Sequence, residues 1–173
     1  MAVDALQLIA QAASASTSPS PTSPVPSPKS SVRVCSLQLS HRNNSETPWE
    51  ATQRALACLT SVAQQEPDVD LFVLPELAPV GSSQNTFTKY LPLSDEWQQL
   101  YHRIDEAFRQ QARELGVYIV YGTIGWQCRE TDRSLKFTLQ HKVVDRQGNY
   151  VAVYDKSYLS DLEMRFFARQ ATR

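Results

Sequence analysis

Apolar and polar residues begin to alternate at Val32, and the run Val32-Arg33-Val34-Cys35-Ser36-Leu37-Gln38-Leu39 predicts a strand. Thr47-Pro48-Trp49-Glu50 then carries three signals of a helix start: a threonine able to cap, a proline at the first helical position, and a glutamate three residues after the cap. Leu56, Leu59, Val62 and Ala63 lie on one stripe of that helix, and Pro67 follows its end. Asp70-Leu71-Phe72-Val73-Leu74 is an apolar run too short for a helix, which suits a strand buried on both faces. Leu93 as staple and Ser94 as cap open a longer helix, in which Trp97, Leu100, Tyr101, Ile104, Ala107, Phe108 and Leu115 repeat at helical spacing. Gly116 closes it as a left-handed C-terminal residue. Residues 117–121 form a third apolar strand. Residues 137–144 and 150–154 form two more, joined by Asp145-Arg146-Gln147-Gly148-Asn149, whose glycine suits a tight hairpin. The order strand–helix–strand–helix–strand–strand–strand is that of a layered α/β or α+β domain without internal repeats.

The N-terminus has a different character. Residues 1–12 offer only a short amphipathic turn through Leu6, Leu8, Ile9 and Ala10, and residues 13–31 are almost wholly Ser, Pro, Thr and Ala. A segment so poor in apolar surface cannot offset its ordering entropy, so residues 1–31 are expected to be a disordered tail ahead of a domain over residues 32–173. The first charged side chain is Asp4 and the first cation Lys29, which fits neither a secretory signal nor a mitochondrial leader. The Ser and Ala content is compatible with a plastid-type transit peptide.

The totals exclude more than they identify. A hydrophobic fraction of 42% and a charged fraction of 20% are those of a soluble globular protein. A formal charge of -1 favours neither nucleic acid nor an anionic membrane, and no apolar run approaches the roughly 20 residues that span a bilayer. Cys35, Cys58 and Cys128 are sparse and odd in number, which predicts a reducing, cytoplasmic setting rather than a disulfide framework. His41, His102 and His141 fall in a loop, on a helix and on a strand, without metal-ligand spacing, so no metal is expected. Five glycines form no phosphate loop, and no cofactor is implied.

Two stretches carry candidate chemistry. In Leu74-Pro75-Glu76 a carboxylate follows directly on an apolar strand, where open α/β sheets place ligands, and the proline ends the strand and fixes the direction in which Glu76 leaves it. A carboxyl near apolar surroundings would have a raised pKa, as a general base or acid needs; the bland alternative is a surface glutamate in an ordinary turn. In Val151-Ala152-Val153-Tyr154-Asp155-Lys156-Ser157-Tyr158-Leu159 a lysine ends another apolar strand, where it could stabilise developing negative charge or simply be solvated. Glu163, seven residues on, could orient Lys156, though spacing alone allows an exposed helical glutamate equally well.

Together these stretches are similar to the carbon–nitrogen hydrolase (nitrilase) superfamily. Asp70-Leu71-Phe72-Val73-Leu74-Pro75-Glu76 resembles its glutamate motif. Ala112-Arg113-Glu114-Leu115-Gly116-Val117-Tyr118-Ile119-Val120-Tyr121-Gly122 resembles its A-x-x-x-G, apolar strand, Gly segment. Asp145-Arg146-Gln147-Gly148 through Tyr154-Asp155-Lys156-Ser157-Tyr158-Leu159 resembles its D-x-x-G … Y-x-K-x-H-L lysine motif. The three stand in the family's order and at about its separations. The resemblance implies part of an α-β-β-α sandwich, ending before its second half, that dimerises in full-length members. It also implies hydrolysis of a non-peptide amide or nitrile by a Glu-Lys-Cys triad. In that scheme Glu76 is the general base, Lys156 stabilises the tetrahedral intermediate, and Glu163 matches a supporting glutamate.

Three departures accompany the match. The family's cysteine lies beyond the lysine motif on a strand-to-helix elbow, and no cysteine follows Cys128. Cys35 falls on the first strand, Cys58 on the first helix and Cys128 just past the third strand, each as a small apolar filler or an incidental thiol. Tyr158 stands where the family has a histidine, and Lys136, Phe137 and Thr138 occupy the neighbourhood of a frequent asparagine. Without a nucleophile the chain as it stands is expected to be inactive, a fragment of a longer hydrolase or a truncated product. The alternative is a non-catalytic module that binds a small carbonyl compound or pairs with a full-length homologue. The hydrolase expectation requires Glu76 and Lys156 to converge on one pocket at the tips of adjacent strands.

Overall fold

In a computed structural model, residues 31–40, 46–79, 95–128, 135–165 and 167 are described. Among these residues two helices and five strands follow in the expected order: β1 (Val34–Ser36), α1 (Pro48–Gln65), β2 (Leu71–Val73), α2 (Asp95–Leu115), β3 (Tyr118–Cys128), β4 (Leu135–Val144) and β5 (Tyr150–Asp155). The strands form one sheet in the order β1-β2-β3-β4-β5. β1, β2 and β3 run parallel, and β4 and β5 complete the sheet antiparallel. This is an α/β fold with a mixed sheet.

The start of α1 forms as its residues dictate. The Thr47 hydroxyl accepts from the Glu50 backbone N–H at 3.2 Å while the Glu50 carboxylate accepts from the Thr47 N–H at 2.7 Å, with Pro48 in the first turn. Gly116 closes α2 with a φ of 65°. The expected staple and cap of α2, Leu93 and Ser94, lie outside the described residues.

α1 and α2 pack against each other: the Arg103 guanidinium sits 3.6 Å above the Trp49 ring, and the Gln111 side chain donates to the Thr60 hydroxyl at 3.1 Å. Beneath them Phe108 of α2 stacks on Tyr121 of β3 with ring centroids 4.2 Å apart, both rings fully buried. Asp105 of α2 accepts from the Tyr121 hydroxyl at 2.8 Å and pairs with Lys142 of β4. Burial, followed by the charge of Asp105 nearby, pushes the Tyr121 phenol far above its ordinary value, so it stays a donor at any ordinary pH. Residues 121 and 142 are register partners, so they mark the helix-covered face of the sheet.

The β4–β5 hairpin rests on α2. Asp145 Oδ1 accepts from the N–H groups of Gln147 and Asn149 at 2.9 and 2.7 Å, Gly148 takes a φ of 77°, and the Gly148 carbonyl accepts from Arg109 Nε at 2.6 Å. A side chain at 148 would meet the Arg109 carbonyl at 2.9 Å, so the glycine is required by conformation and by space.

Strand lengths differ from the expectation. β1 is three residues rather than eight, because only Val34, Cys35 and Ser36 find partners on β2. β3 continues well past Tyr121, pairing with β4 from Ile119↔Val144 to Cys128↔Leu135, so Cys128 ends the strand instead of lying beyond it. Gly122 and Gly125 interrupt the apolar pattern without interrupting the ladder. β2 has Leu71 and Phe72 buried but Val73 only partly so. β5 is a half-exposed strand, with Val153 and Tyr154 about half open to solvent.

Candidate active site

Leu74 extends the β2 ladder by one bond, donating to the Val120 carbonyl at 2.9 Å, before Pro75 ends it. The chain turns at once: Ala78 donates to the Pro75 carbonyl at 3.2 Å, and Leu77, buried at 2% exposure, takes a φ of 55°. A left-handed leucine is strained by about 1–3 kcal/mol, and its burial holds it there. Glu76 stands between these two constraints, so its direction is set by the proline before it and the anchored leucine after it. The turn lies directly over Gly122 of β3, where a Cβ would sit 2.7 Å from Leu77 N and 2.9 Å from Glu76 Cα. Gly122→Ala is therefore expected to lift the turn and to cost about 1–3 kcal/mol, read as a lower urea midpoint; an unchanged midpoint would contradict that packing.

Lys156 arrives from the far side of the sheet. Its backbone N–H donates to the Leu139 carbonyl at 2.8 Å, which ties the residue after β5 to β4. Its ammonium lies 3.0 Å from Glu76 Oε1 and 2.9 Å from Glu163 Oε1. Glu163 opens a short 3-10 turn, Glu163–Arg165, whose start Ser160 caps: the Ser160 N–H donates to Glu163 Oε2 at 2.7 Å, and the Glu163 N–H donates to the Ser160 hydroxyl at 3.3 Å. Leu159 and Phe167 on either side of this turn are buried in the core, which anchors the segment.

The convergence takes a different form from the one expected. Glu76 follows β2 and Lys156 follows β5, and two strands separate those in the sheet. They meet because the turn after β2 folds over Gly122 of β3 and Lys156 bends back over β4, across residues 80 positions apart in the chain. Glu76 is exposed and faces an ammonium, so the apolar surroundings expected for it are not there. Glu163 is a half-buried partner of Lys156 rather than an exposed helical residue.

For Lys156, burial pulls the ammonium down, but hydrogen bonds to Glu163 and Glu76 outweigh it and hold the group above its ordinary value. For Glu163, burial pushes the carboxyl up, but the Ser160 N–H and the Lys156 ammonium outweigh it and hold the group below. A raised lysine contributes stability that is whole below its unfolded value and lost as pH rises through the folded one. A lowered carboxyl contributes stability that is whole above its unfolded value and lost as pH falls through the folded one. The Lys156–Glu163 link is thus expected to be intact from about pH 4.5 to about pH 10.5. The difference in urea midpoint between the wild type and Glu163→Gln should be level across that range and shrink on the acid side; a difference that persists undiminished to pH 2 would refute it.

One neighbour received no role from the sequence. His141 of β4 is the register partner of Gly122 on β3 and of Tyr154 on β5. Burial holds its imidazole below the ordinary histidine value, while Glu76 pulls it up and Lys156 pushes it down. Nothing in the local pattern around a strand histidine announces this; it follows from register across three strands. Cys35 and Cys58 pack against the core.

A family model for carbon-nitrogen hydrolases matches residues 33–171, and the chain belongs to that family. Among solved structures it is similar to a carbon-nitrogen hydrolase from Helicobacter pylori G27 at 16% identity and a TM-score of 0.64, covering 81% of this chain and 45% of that one. An amidase from Nesterenkonia sp. matches at 18% identity and a TM-score of 0.64, over 82% of this chain and 49% of that one. The same organism's strain AN1 amidase, in a double mutant complexed with acrylamide, matches at 18% and 0.65, over 87% and 52%. The chain spans about half the length of these structures. No curated protein matches. Among the described residues no helix is long and apolar enough to cross a membrane.

Proposed function

We propose that this chain carries the base and lysine of a carbon–nitrogen hydrolase that cleaves a small non-peptide amide or nitrile, with the nucleophilic cysteine supplied from outside residues 1–173. The supporting observation is the contact of Lys156 with both Glu76 and Glu163 at 3.0 and 2.9 Å, formed between two segments 80 positions apart. In this reading a thiol attacks the carbonyl or nitrile carbon and passes its proton to the Glu76 carboxylate. The Lys156 ammonium stabilises the negative charge that develops on oxygen or nitrogen. Glu76 returns that proton to the departing ammonia or amine (for a nitrile, after a water has added to the thioimidate), and as a carboxylate again it activates the water that hydrolyses the thioester. Glu163 holds the ammonium in place. Amides are the favoured substrate because amidase relatives hold acrylamide and butyramide.

The test is ammonia release from acetamide, propionamide and butyramide. A polypeptide that continues past Arg173 into a cysteine-bearing strand–turn–helix is expected to release ammonia, and Glu76→Gln in it to release about 10³-fold less. Residues 1–173 alone are expected to release none. Full activity in Glu76→Gln would remove this reading.

A further inference from the structure

His141 sits in the floor of this site with its ring uncommitted. Its cross-strand partner Gly122 has no side chain and carries the Glu76 turn on the same sheet face. On the other flank Lys156 is hydrogen-bonded to Leu139, two residues before His141 on the same face of β4. Glu76 therefore borders the imidazole from the turn after β2, Lys156 borders it from the segment after β5, and Tyr154 is its partner on β5. β3 contributes no charge there, and Glu163 acts on it only through Lys156. The residue is half-buried, yet among the described residues no hydrogen bond or ion pair holds its side chain. A half-buried polar group without a protein partner is satisfied by what enters the site.

We propose that His141 is a ligand-contacting residue that recognises a small primary amide lying against the Glu76–Lys156 pair, and that it makes binding depend on pH. The inference rests on the hydrolase reading above. A neutral imidazole offers one N–H donor and one acceptor nitrogen, matching the carbonyl and the NH₂ of a carboxamide. A protonated ring has two donors and no acceptor, and sets a second cation beside Lys156. Burial keeps the ring neutral at neutral pH, so binding is retained there and weakens on acidification as the ring gains its proton.

The test is a titration of the 173-residue chain with acetamide, followed by NMR of the histidine ring carbons, in the wild type, His141→Ala, His141→Gln, Glu76→Gln and Lys156→Met. In the wild type acetamide is expected to shift the His141 signals saturably at pH 8. Saturation should lower the His141 pKa, since a ligand that prefers the neutral ring must stabilise it. Affinity should fall about five- to tenfold once the pH is taken below the His141 pKa read from the same NMR titration, as loss of one hydrogen bond allows. His141→Ala should weaken binding by a similar factor, and His141→Gln should bind without that pH dependence. Equal affinity above and below the measured His141 pKa, undiminished affinity in His141→Ala, or no acetamide-induced shift in the wild type overturns the proposal. If Glu76→Gln and Lys156→Met abolish binding while the His141 variants do not alter it, the hydrolase reading stands and His141 is only a wall. If acetamide binds regardless of Glu76 and Lys156, the site is not the one described and both readings fall.

Discussion

Lys156→Met, placed in a polypeptide that also carries the nucleophile, is expected to lower amide hydrolysis by about 10²–10³-fold. Methionine keeps most of the aliphatic stem and removes only the ammonium, so the loss reports charge and not packing. The ammonium is held by carboxylates at 3.0 and 2.9 Å, so it is already oriented when charge develops on the substrate. The effect should fall mainly on kcat, because that charge is absent from the ground state. Lys156→Arg is expected to recover only part of the rate: it keeps the charge, but a planar fork cannot reproduce a point donor between two carboxylates. Steady-state ammonia release decides the matter, and a Lys156→Met rate within about threefold of the wild type, below the loss that removing one such donor causes, would exclude this role for the lysine.

Phe108→Ala should destabilise the fold by about 3–5 kcal/mol. Phe108 is fully buried on α2 and stacked 4.2 Å from Tyr121, the tyrosine whose hydroxyl is bonded to Asp105. Truncation opens a cavity where α2 is joined to β3 by a ring stack and to β4 by an ion pair. A stability of 5–15 kcal/mol is usual for a domain, so such a loss removes a large share of it. Urea denaturation should show a much lower midpoint at unchanged slope, and Phe108→Leu, which refills most of the volume, about a third of the loss. Equal midpoints for Phe108→Ala and the wild type would mean that the helix–sheet contact contributes little.

The elements that local chemistry controls formed where their residues placed them. The Thr47–Glu50 box, Pro48, the left-handed Gly116 and the Gly148 hairpin are each decided within a few positions of the chain. Extents were less legible. Gly122 and Gly125 look like a strand end, but β3 runs on through them because β4 supplies ladder partners as far as Leu135. Likewise β5 is apolar in sequence, and only the structure shows that Val153 and Tyr154 stand half in solvent, since an apolar run cannot tell which of its faces another element will cover.

For the site, the sequence by itself determined the candidates Glu76, Lys156 and Glu163, because strand-ending turns and family spacing are written in consecutive residues. Only the tertiary structure decided how they meet. Sheet order put β3 and β4 between the strands that deliver the glutamate and the lysine, and the missing side chain of Gly122 let the Glu76 turn lie across that gap. The place of His141 was decided in the same way, by which residues of β3 and β5 stand opposite it. Pairing register joins positions far apart in the chain, and no local pattern encodes it.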